Sequence, residues 1–316
     1  MTPGAVRVLR LGTRRSALAL AQSRPIASAL RVDVELVEVM TAGDRTAAAI
    51  SELGGTGVFV SALRDQLLSG EIDLAVHSYK DLPTAPMQGV VIAAVPARED
   101  PRDVLVARDG RALGELPSGA TVGTGAPRRV AQLRALGLGL DVVPIRGNVD
   151  TRLRKVTEGE LDAVVLARAG LARLGRLDEV TEVLDPIQML PAPAQGALAV
   201  ECRVDDVELI ALIGQLDDPD ARAAVDAERA LLAALEAGCT APVAALAEVC
   251  VGDDETEIYL RGSVTAMDGS HAVRLSATGP VTEAGVIGRL LAADLIEAGA
   301  QHILRHLLTH ETGSTE

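Results

Sequence analysis

The chain has 316 residues, a formal net charge of −14 and 48% hydrophobic residues, but only 1% aromatic residues. Its length and apolar content suffice for two or three domains, whereas its acidic balance and few aromatic rings argue against a nucleic-acid partner, because phosphate binding needs a basic surface and single strands stack on aromatic rings. No apolar run reaches about 18 residues, the length of a membrane helix, and three cysteines without metal-ligand spacing indicate a reducing cytoplasm and no metal site.

The first predicted elements are a strand over residues 6–11, a turn over residues 12–16 and an Ala- and Leu-rich helix with Thr13 as its N-cap. Arg14 and Ser16 would lie at the N-terminus of this helix, where backbone N–H groups attract anions. A second strand, a glycine-rich loop and a helix that opens with Phe59 follow.

A buried strand over residues 74–76 then turns abruptly polar and leads to Lys80 and Asp81, before Pro83 prevents further strand pairing. In open α/β sheets, ligands bind at the carboxyl ends of the strands. An aspartate beside a cation stays ionised and can hold a substrate ammonium or transfer a proton. The alternative is a surface salt bridge, which this stretch alone predicts equally well.

A charged, proline-containing segment over residues 98–103 predicts a crossing into a second domain, and residues 188–196 predict the crossing back. Between them, predicted strands again end in arginine-bearing turns that open helices. These turns carry Arg128 and Arg129, Arg146 to Arg152, and Arg173. Arginine binds carboxylates and phosphates in bidentate geometry, so a locally basic cleft predicts a small polyanionic ligand. The alternative for the high arginine content is a GC-rich genome that replaces lysine with arginine.

The repeated alternation of strand and helix, with two crossings, resembles the two-lobed fold of periplasmic binding proteins. If the two α/β domains face each other, the arginine turns and the Asp81 strand end would converge. A long helix, three alternating strands and further helices predict a smaller C-terminal α+β domain. The predicted boundaries are 1–98 with 197–216 for the first domain, 99–196 for the second and 217–316 for the third.

Each cysteine has a different sequence context. Cys202 and Cys250 lie on or at the end of predicted strands, which indicates inert core residues. Cys239 lies in a Gly-Cys-Thr-Ala-Pro loop, where an exposed sulfur could carry a covalent group. An unmodified loop thiol is the alternative.

Taken in this order, the motifs resemble those of the porphobilinogen deaminase (hydroxymethylbilane synthase) family. The motifs are 12–16 (GTRRS), 76–83 (VHSYKDLP), 98–103 (REDPRD), 146–148 (RGN) with 151–153 (TRL), 190–197 (LPAPAQGA) and 235–242 (LEAGCTAP). The resemblance implies a dipyrromethane cofactor bound to Cys239 by a thioether, with Asp81 as the catalytic carboxylate. It assigns further cofactor binding to Ser16, Lys80, Asp81, Thr124, Arg128, Arg129, Arg146 and Gly147, and substrate binding to Arg14, Ser16, Phe59, Arg146, Arg152, Arg173 and Gln195.

The implied reaction joins four porphobilinogen molecules head to tail with loss of ammonia and releases hydroxymethylbilane. The implied protein is a cytoplasmic monomer whose partner is this small substrate. The sequence departs from the commonest family pattern at Thr56, where many members have lysine, and at Gly125 and Ala126, where many have serines. The alternatives are a two-lobed binding protein for a small anion without catalysis and a ligand-sensing regulator.

Overall fold

The computed structural model describes residues 8–39, 57–236, 241–252 and 256–305, with the backbone alone described for residues 57–59. The strands are β1 Leu9–Thr13, β2 Val34–Glu38, β3 Leu74–Ser78, β4 Val90–Ala94, β5 Asp103–Ala107, β6 Thr121–Thr124, β7 Asp141–Pro144, β8 Ala163–Ala167, β9 Glu182–Val183, β10 Leu198–Arg203, β11 Val243–Val251, β12 Thr256–Thr265 and β13 Ala272–Pro280. The α-helices are α1 Ala17–Ala29, α2 Gly57–Ser69, α3 Pro127–Ala135, α4 Val149–Thr157, α5 Arg168–Arg173, α6 Val207–Gly214, α7 Pro219–Ala234 and α8 Ala284–Leu295. No helix within these ranges combines the length and the apolar character that crossing a membrane requires.

The chain divides into two compact units. Unit 1 contains residues 1–98 and 197–222, and unit 2 contains residues 99–196 and 223–316. The strands form two five-stranded sheets and one three-stranded sheet, which confirms the predicted α/β fold class of two larger domains with a smaller C-terminal domain. The three domain boundaries drawn from the sequence stay a prediction.

The sheet of unit 1 has the order β2-β1-β3-β10-β4. Strand β1 runs parallel to β2 and β3, while β10 runs antiparallel to β3 and β4. Both faces of β3 are buried: Leu74 and Val76 belong to one apolar cluster and Ala75 to another. Because β1 and β3 are parallel, with Gly12 paired to Ala75, their carboxyl ends meet at the same edge of the sheet.

Helix α1 begins one turn later than the sequence analysis predicted. Its N-cap is Ser16, whose Oγ accepts a hydrogen bond from the backbone N–H of Ala19 at 3.2 Å. The predicted N-cap, Thr13, is wrong because this residue still belongs to β1, and its Oγ1 accepts a hydrogen bond from Ser23 Oγ at 2.9 Å.

The sheet of unit 2 has the order β7-β6-β8-β5-β9. Strand β6 runs parallel to β7 and β8, whereas β5 runs antiparallel to β8 and β9. Separate apolar clusters cover its two faces, with Leu105 and Val165 in one and Val104 and Val164 in the other. The carboxyl ends of β6, β7 and β8 therefore share one edge with the amino end of β5.

The third sheet is an antiparallel meander of β11, β12 and β13. Leu260 of β12 packs with Leu231 of α7 and Leu291 of α8 in one buried cluster. Gly288 allows these two helices to approach closely, because a Cβ at this position would lie 2.2 Å from the carbonyl oxygen of Ala227.

Two cysteines lie in described strands. Cys202 is buried within the core of unit 1, as predicted, and burial raises the pKa of its thiol to about 11. Cys250 is exposed near the end of β11, so the prediction that it is a core residue is wrong.

A buried charge network underlies β3 in unit 1. Glu201 of β10 is 1% exposed and accepts hydrogen bonds from Arg64 of α2, with a shortest N–O distance of 2.6 Å. The Nε2 atom of His77 lies 3.2 Å from the same carboxylate. Burial alone would raise the pKa of Glu201, but His77 and Arg64 lower it to about 2. The network therefore joins α2, β3 and β10 through one ionised carboxylate.

Replacing Glu201 with glutamine tests this network. We expect Glu201→Gln to lower the free energy of unfolding by about 3–5 kcal/mol at neutral pH, because it leaves the buried Arg64 charge without a counter-ion. The folded-state pKa of about 2 lies below the ordinary value of 4.5, so the ionised carboxylate stabilises the fold above pH 4.5 and loses this effect as the pH falls toward 2. The difference between wild type and variant should therefore shrink over that range.

Urea unfolding at neutral pH and at several pH values between 4.5 and 2 measures this difference. Glu248→Gln is the control, because Glu248 forms an ion pair with Arg261 and its side chain is 58% exposed. We expect the control to change the free energy of unfolding by about 1 kcal/mol or less. A Glu201→Gln deficit that does not depend on pH would contradict the prediction.

Candidate active site

The Lys80–Asp81 pair lies in a short 3₁₀ turn, Tyr79–Asp81, directly after β3. The backbone N–H of Tyr79 donates to the carbonyl of Ala197 at 3.0 Å, and the N–H of Leu82 donates to the carbonyl of Tyr79 at 3.1 Å. Tyr79 and Leu82 are buried, whereas Lys80 and Asp81 are partly exposed. The buried neighbours fix the backbone, and the two charged side chains can reach a ligand.

Arg14 and Ser16 follow β1 at the same sheet edge. Gln22 of α1 donates from Nε2 to Ser78 Oγ at 2.8 Å, which ties the first helix to the end of β3. Ser16 uses its Oγ as the acceptor that caps α1, so its hydroxyl proton is available to an anion. Unit 1 thus brings together Arg14, Ser16, Lys80 and Asp81 at the carboxyl ends of two neighbouring parallel strands.

Arg128 and Arg129 of α3 are buried against Asp103 of β5. Arg128 Nη1 lies 2.8 Å from Asp103 Oδ2, and Arg129 Nη2 lies 2.8 Å from Asp103 Oδ1. Burial alone would raise the pKa of Asp103, but the charges and hydrogen bonds of the two arginines hold it well below its usual range. One carboxylate therefore faces two guanidinium groups, and the cluster keeps an excess positive charge.

Gln195 joins this cluster from the second crossing segment. Its Nε2 donates to Asp103 Oδ1 at 2.8 Å and to the carbonyl of Pro101 at 2.6 Å. Its Oε1 lies 3.5 Å from Arg128 Nη2. Gln195, a predicted substrate-binding residue, is 1% exposed. Its hydrogen bonds position Asp103 and the first crossing segment.

Thr124 ends β6, and Gly125 and Ala126 form the turn that leads to α3. Thr124 is buried, and its Oγ1 accepts a hydrogen bond from the N–H of Ala126 at 3.3 Å. A Cβ at Gly125 would lie 2.7 Å from the carbonyl oxygen of Ile145, closer than such contacts allow. The departure from serine at this position therefore matches a close approach between this turn and the end of β7.

Arg146, Gly147 and Arg152 belong to the turn and helix that follow β7. Gly147 adopts a φ of 107°, a conformation that favours glycine, and Arg152 Nε donates to its carbonyl at 2.8 Å. Arg146 is exposed, whereas Arg152 is half-buried. Burial lowers the pKa of Arg152, and the nearby charge of Arg129 lowers it further.

Arg173 of α5 follows β8 at the same edge. Its Nη2 donates to the carbonyl of Gly196 at 2.6 Å. Burial lowers the pKa of Arg173, although the charge of Glu99 opposes this shift. Within the part of the chain that the structure describes, neither Arg152 nor Arg173 has a carboxylate within ion-pair distance. These two half-buried cations are suited to a carboxylate ligand.

Unit 2 therefore brings most of the site residues predicted from the sequence together at one edge of its sheet. The set consists of Thr124, Arg128, Arg129, Arg146, Gly147, Arg152, Arg173 and Gln195. Cys239 and Thr56 lie outside the described residues, as does the side chain of Phe59. Among the residues that the structure does describe, no group of three or more His, Cys, Asp or Glu side chains is placed to hold a metal ion.

The buried carboxylates that organise both units were not among the site residues predicted from the sequence. Asp103 begins the apolar run of β5, and Glu201 lies between Val200 and Cys202 in β10. A single carboxylate within an apolar strand is the feature of the sequence that could have indicated them, since a carboxylate is rarely buried without a cationic partner.

Solved structures resemble the chain weakly. A putative methionine-binding lipoprotein from Bacillus subtilis shares 13% identity at a TM-score of 0.41, covering 66% of this chain and 89% of that chain. A periplasmic binding protein from Salmonella typhimurium, described as having high arginine specificity, shares 14% identity at a TM-score of 0.39, covering 66% of this chain and 91% of that chain. At these TM-scores neither similarity bears on function.

The sequence comparisons are much closer. A curated "Porphobilinogen deaminase" from Nocardia farcinica is 60% identical over 314 residues, covering 97% of this chain and 90% of that relative. One from Mycobacterium tuberculosis H37Rv is 57% identical over 305 residues, covering 94% of this chain and 98% of that relative.

Two family models match consecutive parts of the chain. Residues 9–211 match the model described as porphobilinogen deaminase, dipyromethane cofactor binding domain, and residues 222–297 match the model of the C-terminal domain of the same enzyme. Since these matches span most of the chain and agree with relatives of 57–60% identity, the chain belongs to the porphobilinogen deaminase family.

Proposed function

We propose that this protein joins four porphobilinogen molecules head to tail, with loss of ammonia, and releases hydroxymethylbilane. Family membership supports this function. The structural observation that carries it is the pair of half-buried arginines, Arg152 and Arg173, whose pKa values burial lowers and which have no carboxylate counter-ion within the described ranges. Porphobilinogen is the substrate of this enzyme family, whereas the finer expectation of a cytoplasmic monomer stays a prediction from the sequence.

The chemistry of the substrate matches these cations. Each porphobilinogen carries an acetate, a propionate and an aminomethyl group on one pyrrole ring. Guanidinium groups bind carboxylates through paired, charge-assisted hydrogen bonds. Arg152, Arg173 and the exposed Arg146 can therefore bind carboxylates of the growing chain, and Arg14 can do so from unit 1.

Asp81 is the proposed catalytic carboxylate. Its partly exposed side chain can accept hydrogen bonds from the substrate ammonium and from the pyrrole N–H. As ammonia leaves, the carboxylate stabilises the positive charge that develops on the substrate's azafulvene. It can then accept the proton that the ring loses after the new carbon–carbon bond forms. The neighbouring buried residues hold the turn in place for both steps.

The residues of unit 2 fit the dipyrromethane cofactor that the family carries. A dipyrromethane has four carboxylates on its two rings, so its binding site needs excess positive charge. Arg128 and Arg129 share the single carboxylate of Asp103, which leaves this excess. We propose that Arg128, Arg129, Arg146, Thr124 and Gly147 are the cofactor-binding residues of unit 2, that Ser16, Lys80 and Asp81 are those of unit 1, and that Cys239 binds the cofactor covalently. When bound, the cofactor supplies the free pyrrole carbon to which the first substrate is joined.

The mass of the intact protein tests the covalent cofactor. We expect the purified protein to be heavier than its sequence by two linked pyrrole units, and Cys239→Ser to have the bare mass. Cys250→Ser is the matched control, because it removes an exposed thiol and should leave the added mass in place. A wild-type protein of bare mass would instead support a small-anion binding protein without catalysis.

Asp81→Asn tests the catalytic carboxylate. The variant keeps the shape of the side chain, so we expect it to fold, with a kcat for porphobilinogen consumption lower by about 100-fold or more. Asp65→Asn, which changes an exposed residue of α2 in the same unit, should leave kcat unchanged within about twofold. Steady-state kinetics together with thermal unfolding measure both effects. Near-normal turnover in Asp81→Asn would assign the proton transfers to another group.

Arg152→Leu tests carboxylate binding by α4. Loss of a charge-assisted hydrogen bond should lower kcat/KM for porphobilinogen by about 10- to 100-fold. Arg154→Leu is the matched control, because Arg154 is an exposed arginine on the same helix. Steady-state kinetics of both variants should separate them. Equal kcat/KM values would mean that Arg152 does not bind substrate.

A further inference from the structure

Helix α5 carries two arginines with different surroundings. Arg168, at its first position, forms an ion pair with Glu99, with Nη1 3.0 Å from Oε1. Its Nε also lies 3.5 Å from Asp100 Oδ2. Arg173, at the last position of the helix, has no such carboxylate partner among the described residues and is a proposed substrate-binding residue.

Glu99 lies beside both arginines. The carbonyl of Gly196 accepts a hydrogen bond from the backbone N–H of Glu99 at 3.3 Å and another from Arg173 Nη2 at 2.6 Å. Two groups that share one acceptor atom are necessarily close neighbours. The charge of Glu99 accordingly acts to raise the pKa of Arg173, against the larger effect of burial.

The Glu99 carboxylate pairs with Arg168, and its Oε1 also accepts a hydrogen bond from the backbone N–H of Asp100 at 3.0 Å, while its charge acts on Arg173 nearby. Its side chain is 37% exposed, so it has room to change rotamer. If the Arg168 charge were absent, electrostatic attraction would draw the carboxylate toward the remaining guanidinium. A substrate carboxylate would then have to displace Glu99 before it could bind.

We propose that Arg168 is a positioning residue that holds the Glu99 carboxylate and so leaves Arg173 available for a substrate carboxylate. This inference rests on the proposed function, in which Arg173 binds porphobilinogen or the growing chain. Arg168 itself does not contact the substrate. Arg168 affects the reaction because it holds the Glu99 carboxylate away from Arg173.

The competing explanation is that the Arg168–Glu99 pair only stabilises the first crossing segment. Under that explanation, removing either partner is equally harmful, and removing both brings no recovery. Under the proposal, the harm comes from the released carboxylate. Replacing Glu99 with its neutral isostere should therefore rescue the loss of Arg168.

A double-mutant cycle separates the two explanations. We expect Arg168→Leu to raise the KM for porphobilinogen by about fivefold or more while kcat changes less. Glu99→Gln alone should leave KM within about twofold of wild type, and Arg168→Leu/Glu99→Gln should return to that range. Arg108→Leu is the matched control. Arg108 pairs with Asp162 at the other edge of the sheet, where β5 ends and β8 begins, so this substitution should leave KM unchanged.

Chemical labelling supplies a readout that needs no catalysis. Phenylglyoxal reacts with neutral guanidine, so a carboxylate that moves closer to Arg173 should slow its labelling. In a Cys239→Ser background, peptide mass mapping should show slower labelling of Arg173 in Arg168→Leu and recovery in Arg168→Leu/Glu99→Gln.

An unchanged KM and unchanged labelling in Arg168→Leu would overturn the inference, as would a double variant that stays as impaired as Arg168→Leu. A wild-type protein that consumes no porphobilinogen would contradict the proposed function instead. In that case, the labelling rates still decide whether Arg168 restrains Glu99, because they do not depend on turnover.

Discussion

The pairing of Asp103 with Arg128 and Arg129 is the interaction on which the arginine-rich edge of unit 2 depends. Placing two guanidinium groups in a buried position is costly unless a counter-ion and hydrogen bonds compensate them. Asp103 is fully buried and is the only carboxylate among the described residues that pairs with both, while Arg129 also donates to the carbonyl of Val165 at 3.1 Å. The cluster of Asp103, Arg128 and Arg129 thus joins α3 to β5 and β8. It also keeps the excess positive charge that an anionic cofactor requires.

Much of this arrangement was predictable because it depends on local sequence. Uninterrupted apolar runs indicated parallel strands buried on both faces, and abrupt changes to polar residues indicated their carboxyl ends. The parallel pairing of β1 with β3, and of β6 with β7 and β8, then places the ends of those strands at common edges. The positions of Asp81 and of Arg152 at such edges follow from these two facts.

The partners of the charges could not be predicted, because they lie far away in the sequence. Arg64 and Glu201 are separated by 137 residues, and Arg168 and Glu99 by 69 residues. Only the strand order decides which carboxylate meets which cation. The two local errors have their own causes: Thr13 stays in β1 because it pairs with Glu38 of β2, and Cys250 is exposed because it lies near the end of its strand.

The close approach at Gly125 has a consequence for protein engineering. The β6–α3 turn lies against the Ile145 carbonyl, where a Cβ would be only 2.7 Å away. Grafting a serine-bearing turn from a relative into this chain would therefore strain the graft unless the segment around Ile145 were transplanted with it. The two segments form a single exchangeable cassette, although Gly125 and Ile145 are 20 positions apart in the sequence.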